Sequence, residues 1–530
     1  MRRARIRCGA VVAVGLALAA SAGGQGAVLG RIDFPASGSA AAMPYFLQGV
    51  LLLHSFEYAD AAEAFRAAQK TDPGFAMAYW GEAMTFNHPL WMQRDRAAAV
   101  KALERLAPTP AERIAKAPTE REKMYLEAVE ALWAEGDKAE RDRAYADAMR
   151  RLHERFPEDL DAAALYGLAL LGTCEDKRDV RVYMQAAAIE EDVFAKNSQH
   201  PGAAHYLIHC YDDPVHAPLG MRAARVYATI APDAVHALHM PSHIFFASGM
   251  WEEAVASNEA SWKASVERAA RKGLPAGEHS FHALSWLEYS DLQLGRWNEA
   301  RSKLSTMETD AKADPGEMTA SGLSQMRAIW IVETRRCEGL VPPASATASR
   351  DDFVRGLCAL DSGDRTAAKA SAEALAAPAS KDDTHAHGGG GSYSRGGASA
   401  GRILGIELEA LLSFGVGKRD EGLRLAAEAA AAEEAMSFEF GPPVVVKPAH
   451  ELSGELLLAA GKPADARREF EASLAQNPGR ALSLLGLARA EAAAGDVAAS
   501  RETSAKLAKQ WSHADPDVKN RAEVLAAGRP

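Results

Sequence analysis

The feature that most constrains this chain is a proline and a glycine that recur in phase. Pro232 precedes an apolar stretch that ends at Gly249, and Pro478 precedes another that ends at Gly495, at the same spacing. The turn Gly249-Met-Trp-Glu-Glu-Ala254 returns as Gly295-Arg-Trp-Asn-Glu-Ala300 and as Gly461-Lys-Pro-Ala-Asp-Ala466. Proline cannot continue a helix, and glycine supplies the left-handed residue of a tight turn. The chain therefore reads as helix, glycine turn, helix, proline turn, with a period of about 34 residues. At about 100–200 residues per domain, 530 residues would divide into roughly three to five globules. The periodicity replaces them with one or two stacks of helix pairs, each buried against its neighbours.

With small alanines in the second helix also in phase, the pattern resembles the tetratricopeptide repeat (TPR) family. The resemblance implies an all-α fold, a right-handed TPR superhelix (α-solenoid) of about ten helix pairs. Its expected extent is 45–375 and, as a second solenoid, 400–526. Residues 376–399, which include His385-Ala-His387-Gly-Gly-Gly-Gly-Ser, read as a flexible Gly/Ser-rich linker. Residues 107–120, with three prolines, form another irregular connection. Four segments together are similar to a group of exported bacterial TPR proteins: Asp72-Pro-Gly-Phe-Ala-Met-Ala-Tyr-Trp-Gly81, His239-Met-Pro-Ser-His-Ile244, Gly441-Pro-Pro443 and Glu451-Leu-Ser-Gly-Glu-Leu-Leu-Leu458. That similarity implies architecture and little chemistry.

The N-terminus points to a compartment. Arg2, Arg3, Arg5 and Arg7 precede an apolar run from Gly9 to Ala20, followed by Ala20-Ser21-Ala22. This is the layout of a signal peptide, over residues 1–22, and the run is shorter than the roughly 20 residues a spanning helix needs. The expected location is periplasmic or secreted, with no membrane anchor. The net charge of −11 becomes more negative once those arginines are removed, which speaks against a nucleic-acid partner. Of the cysteines beyond this leader, Cys337 and Cys358 are a possible pair. The plainer expectation for all four (Cys174 and Cys210 being the others) is that of small buried hydrophobes.

The histidines are the chemical signal. At about 100° per residue, His236, His239 and His243 share one face of a helix, and His205 and His209 are an i, i+4 pair on an earlier one. Counted on the repeat, these residues take equivalent positions of consecutive first helices, and His282 and Tyr289 fall on the next. In the TPR architecture those positions line the concave groove. Neutral imidazoles sharing a face suit a divalent transition metal, namely zinc, copper or iron. Asp212 and Asp213 would add an oxygen ligand or orient an imidazole. Pro241 should kink or restart its helix.

The same count places Trp80, Met84, Asn87 and His88 at the front of the groove and Glu451 and Glu455 at its back. Closure of the superhelix would carry those two glutamates toward the histidines. His54, His153 and His513 fall outside the pattern and read as surface or helix-end residues.

Catalytic signatures are absent: there is no H-E-x-x-H, G-x-S-x-G, Walker A or C-x-x-C-H motif. The leading expectation is an exported repeat protein that binds a protein or peptide partner, or a small ligand, in its groove, with a His-rich divalent metal site. A groove without metal, or a patch that responds to pH through imidazole protonation, would use the same residues. A metal-dependent hydrolase or oxidase, drawing a base from Glu451, Glu455 or Asp213, is the alternative. A plain assembly scaffold would leave the histidines unexplained.

Overall fold

The computed structural model describes residues 27–527, apart from 175–176, 344, 347 and 377–396. The leader expected at 1–22 and most of the expected linker lie outside the described residues. The rest is an all-α solenoid. Helix hairpins run from Met43–His54 with Tyr58–Thr71 to Ala481–Ala493 with Val497–Gln510. Side-chain caps start many of the helices: Asp159 accepts from the Ala162 N–H, Asp137 from Ala139 and Glu140, and Thr109 forms a capping box with Glu112. The turn glycines adopt the conformation expected of them, Gly249 with φ of 65° and Gly295 with φ of 70°.

A recurring contact explains how successive hairpins register. Phe65 is fully buried against Gly49 and Gly81, which belong to two successive first helices. A Cβ at Gly81 would lie 2.2 Å from the Phe65 ring. Phe470 repeats the arrangement between Gly454 and Gly486, where a Cβ would come within 2.9 and 2.3 Å. The missing side chains let one aromatic ring fill the space between neighbouring helices, a burial worth about 1.5–3 kcal/mol each. A continuous apolar core runs from Leu29 to Val524.

The far end of the solenoid packs back on its middle. Trp251 Nε1 donates to the Gly479 carbonyl at 3.0 Å, the Ala481 N–H to Gln293 Oε1 at 2.9 Å, and Trp511 Nε1 to the Gln293 carbonyl at 3.0 Å. Arg480 lies fully buried at this junction, bonded to Glu451 at 2.7 and 2.9 Å, to Glu333 at 2.6 Å and to the Tyr289 hydroxyl at 2.8 Å.

Three features depart from the sequence expectations. Asn87–His88 pairs with Gln93–Arg94 as a two-stranded hairpin inserted between the helices Ala76–Met84 and Arg96–Glu104. Cys337 and Cys358 are joined in a disulfide rather than buried as separate thiols, whereas Cys174 and Cys210 are free and buried. His54 is not a surface residue but is fully buried. No helix among the described residues is long and apolar enough to cross a membrane.

Candidate metal centre

Three consecutive first helices carry the histidines: Pro201–Cys210, the broken helix Val235–His239 and Pro241–Ala247, and Phe281–Gln293. The break falls at Pro241, as expected from its missing N–H. Across it, His239 and His243 approach Nε2 to Nε2 at 3.0 Å. His205 and His209 stand in the same relation at 3.1 Å. Two triads result, His205–His209–His236 and His239–His243–His282, each with its donor atoms within 4.8 Å of one another. The six residues singled out by helical phase are thus brought together, in two adjacent sets rather than one patch.

Second partners fix which nitrogen each ring presents. His205 donates from Nδ1 to the His54 carbonyl at 2.7 Å. His239 Nδ1 meets Asn258 Oδ1 at 2.7 Å, and that amide is oriented by its own Nδ2 donating to the Ala254 carbonyl at 2.9 Å. His243 donates from Nδ1 to Asp212 Oδ2 at 2.5 Å. In all three the hydrogen sits on Nδ1, so Nε2 is left as a lone pair. Buried His236 Nε2 has no hydrogen-bond partner.

The consequence is sharpest at His239 and His243, where two lone pairs confront each other at 3.0 Å. Such a contact is repulsive unless a cation lies against both. On His239 itself a proton is disfavoured, because burial and the neighbouring histidines hold it well below its ordinary range. The same causes, burial first, lower His205, His209 and His236, and bring His282 down to about 3. A metal ion suits the pair: at nitrogen–metal distances of about 2.0–2.1 Å, two donors this far apart subtend about 90°.

A cavity of about 290 Å³ opens beside the triads. Phe56, Tyr58, Trp91 and Phe440 contribute aromatic faces to it. His88 joins this wall as expected, stacked on Tyr58 with ring centroids 3.8 Å apart. Glu57 reaches the cavity too; burial raises it to about 7, offset in part by the His236 N–H that it accepts at 2.8 Å. Phe440 comes from a distant segment and packs on His243, its ring centroid 4.8 Å away. Next to it Gly441 has φ of 93° and lies on the Trp286 ring, where a Cβ would meet Cζ2 at 2.3 Å. That close approach accounts for the glycine of the Gly441-Pro-Pro443 motif.

Other expected groove residues are elsewhere. Trp80 is fully buried in the core against Phe34 and Tyr125. Met84 and Asn87 border a separate small cavity with Leu53 and Arg94. Tyr289 is buried on Arg480. Glu451 and Glu455 stay away from the histidines. Despite burial, Arg480 and Lys447 hold Glu451 well below the usual carboxylate range, and Glu455 pairs with Lys447 at 2.6 Å. Asp213 pairs with Arg178 at 2.9 Å and His216 at 2.8 Å. None of these three is placed as a base for a metal-bound water. Asp212 accepts the His243 Nδ1–H through Oδ2, on the side of the ring away from Nε2.

Sequence reasoning missed His54, Asn258 and Phe440. His54 bonds Asp161 from Nε2 at 2.9 Å and the Tyr206 hydroxyl at Nδ1, also at 2.9 Å, so that both ring nitrogens are satisfied while its carbonyl steers His205. Its partner Asp161, flanked also by His200, is held low by these imidazoles against the effect of burial.

Comparison with known proteins bears on the architecture. Residues 457–520 match the family model described as tetratricopeptide repeat. No curated protein matches by sequence. Among solved structures, the P58(IPK) TPR domain is 14% identical, covering 86% of this chain and 99% of its own, with a TM-score of 0.23. Yeast Tom70 is 12% identical over 92% of this chain and 94% of its own, with a TM-score of 0.28. A human IFIT1 dimer with PPP-AAAA is 12% identical over 93% and 94%, with a TM-score of 0.36. Scores this low carry no argument about ligands. Residues 457–520 therefore carry tetratricopeptide repeats, and the helix hairpins toward the N-terminus continue the same helix-pair pattern.

Proposed function

We propose that this is an exported TPR protein whose concave groove holds a divalent transition metal, zinc, copper or iron, on histidine nitrogens and binds a small ligand or partner segment beside it. TPR solenoids are scaffolds for partners, and this one has a cavity where such a scaffold has its groove. The facing Nε2 atoms of His239 and His243 carry the metal reading, since their Nδ1 partners leave both as bare donors. The all-imidazole set, lacking thiolate, favours zinc, copper or iron over magnesium or calcium. Export is supported by the Cys337–Cys358 disulfide, which belongs to an oxidising compartment. An acidic chain without a cationic surface run argues against nucleic acid as the partner.

The test is elemental analysis of the purified full chain after reconstitution with zinc and dialysis. The unmodified protein should retain metal in whole-number ratio. His239→Ala combined with His243→Ala should lose at least one equivalent while its helical circular dichroism is unchanged. A chain that retains no metal overturns the reading.

A further inference from the structure

The metal reading leaves open how many ions six histidines hold, and the geometry points to two. We propose that the groove carries a dinuclear centre, with one divalent cation on His205, His209 and His236 and a second on His239, His243 and His282. The inference rests on the metal reading above and extends it.

The division follows from which nitrogens can reach a common point. Each triad has its three donor atoms within 4.8 Å of one another. Among the described residues, the sole metal-capable group drawing histidines from both triads is His209–Asp212–His243, and there Asp212 is already engaged by His243 Nδ1. One ion therefore cannot gather the six. Nor does either triad need the other's members: an i, i+4 pair on one helix supplies two donors, and the next helix supplies the third. His205 and His209 are completed by His236, whose ring centroid is 5.0 Å from that of His205. His239 and His243 are completed by His282, 4.5 Å from His239.

The fold thus applies one three-histidine device twice, displaced by one repeat. The orienting partners are duplicated too: the His54 carbonyl serves the first triad, and Asn258 and Asp212 serve the second. Three protein ligands per ion leave coordination positions for a small molecule, the arrangement of reactive rather than closed structural sites. The triads adjoin, with His209 and His243 centroids 5.6 Å apart and His236 and His239 centroids 6.0 Å apart. A ligand in the aromatic cavity that touches one ion is within reach of the other. Two divalent cations on neutral imidazoles leave excess positive charge, so an oxygen anion such as hydroxide or a carboxylate is the class of ligand that completes the centre.

The other buried histidine cluster is already engaged through His54. In His54–Asp161–His200, both nitrogens of His54 are hydrogen-bonded, and His200 accepts the Ala203 N–H at Nδ1.

The experiment is zinc stoichiometry of the full chain, measured by elemental analysis after reconstitution with zinc chloride and exhaustive dialysis. Two zinc ions per chain are expected. His205→Ala with His236→Ala should leave one, and His239→Ala with His282→Ala should leave one. His236→Asn and His282→Asn, at less completely buried positions, serve if the alanine pairs fail to fold. One zinc per chain, lost in both variants, would overturn the dinuclear centre and leave a single metal in place. No zinc in the folded wild-type chain would overturn both proposals.

Discussion

Arg480→Ala should cost about 3–5 kcal/mol of stability, the usual penalty for removing one partner of a buried charge network. The guanidinium is fully buried and bonded to Glu451, Glu333 and Tyr289. Without it, Glu451 keeps Lys447 at 2.8 Å and Ser483 at 2.5 Å, but Glu333 keeps only Gln293, at 3.2 Å. The asymmetry is already visible: Arg480 and Lys447 hold Glu451 low despite burial, whereas burial leaves Glu333 raised. The loss should fall on the junction where the C-terminal repeats dock against Trp251 and Gln293, so a urea titration followed by tryptophan fluorescence is the measurement. Adding Glu333→Gln to Arg480→Ala should recover part of the loss, because the stranded carboxylate is then neutral. A change below about 1 kcal/mol would mean that this junction does not hold the solenoid closed.

Asp212→Asn should weaken metal binding by about 10–100-fold, the usual effect of altering a group that orients a ligating imidazole. Asparagine can still accept the His243 Nδ1–H but brings no charge to strengthen the ring as a donor. The measurement is competition against a chromophoric zinc chelator. Stability without metal should change less, since Asp212 Oδ1 has no partner to lose. Equal affinity in the two proteins would show that Asp212 does not act through His243.

The fold was legible because helical repeats write their turns locally. Pro232, Gly249, Pro478 and Gly495 each act on their own backbone, so phase alone located the hairpins. The histidines were legible for the same reason: repeat position decides which side of a first helix faces the groove, and the structure puts His205, His209, His236, His239, His243 and His282 together there. What failed was whatever depends on superhelical curvature or on packing between distant segments. Trp80 was counted into the groove, but its ring is fully buried against Phe34, from the segment ahead of the first helix, and Tyr125, from a later helix, packing that the repeat count does not reveal. Glu451 was expected to swing toward the histidines. Its partner Arg480 follows a turn that looks like any other, and nothing local announces an arginine committed to Glu333 and Tyr289 far along the chain. His54 carries no repeat signal either, and its role depends on Asp161 and His205, more than a hundred residues away. The disulfide could be named as a pair from sequence but not placed, because the loop between Cys337 and Cys358 is where the repeat pattern lapses.

The central claim is that imidazole nitrogens of the groove hold the metal. X-ray absorption at the zinc edge of the reconstituted full chain tests it most directly. A first shell of nitrogen and oxygen at about 2.0–2.1 Å, with the outer-shell pattern of three imidazoles per zinc, is the result this account predicts. A sulfur shell near 2.3 Å, or an oxygen shell without imidazole, would contradict it.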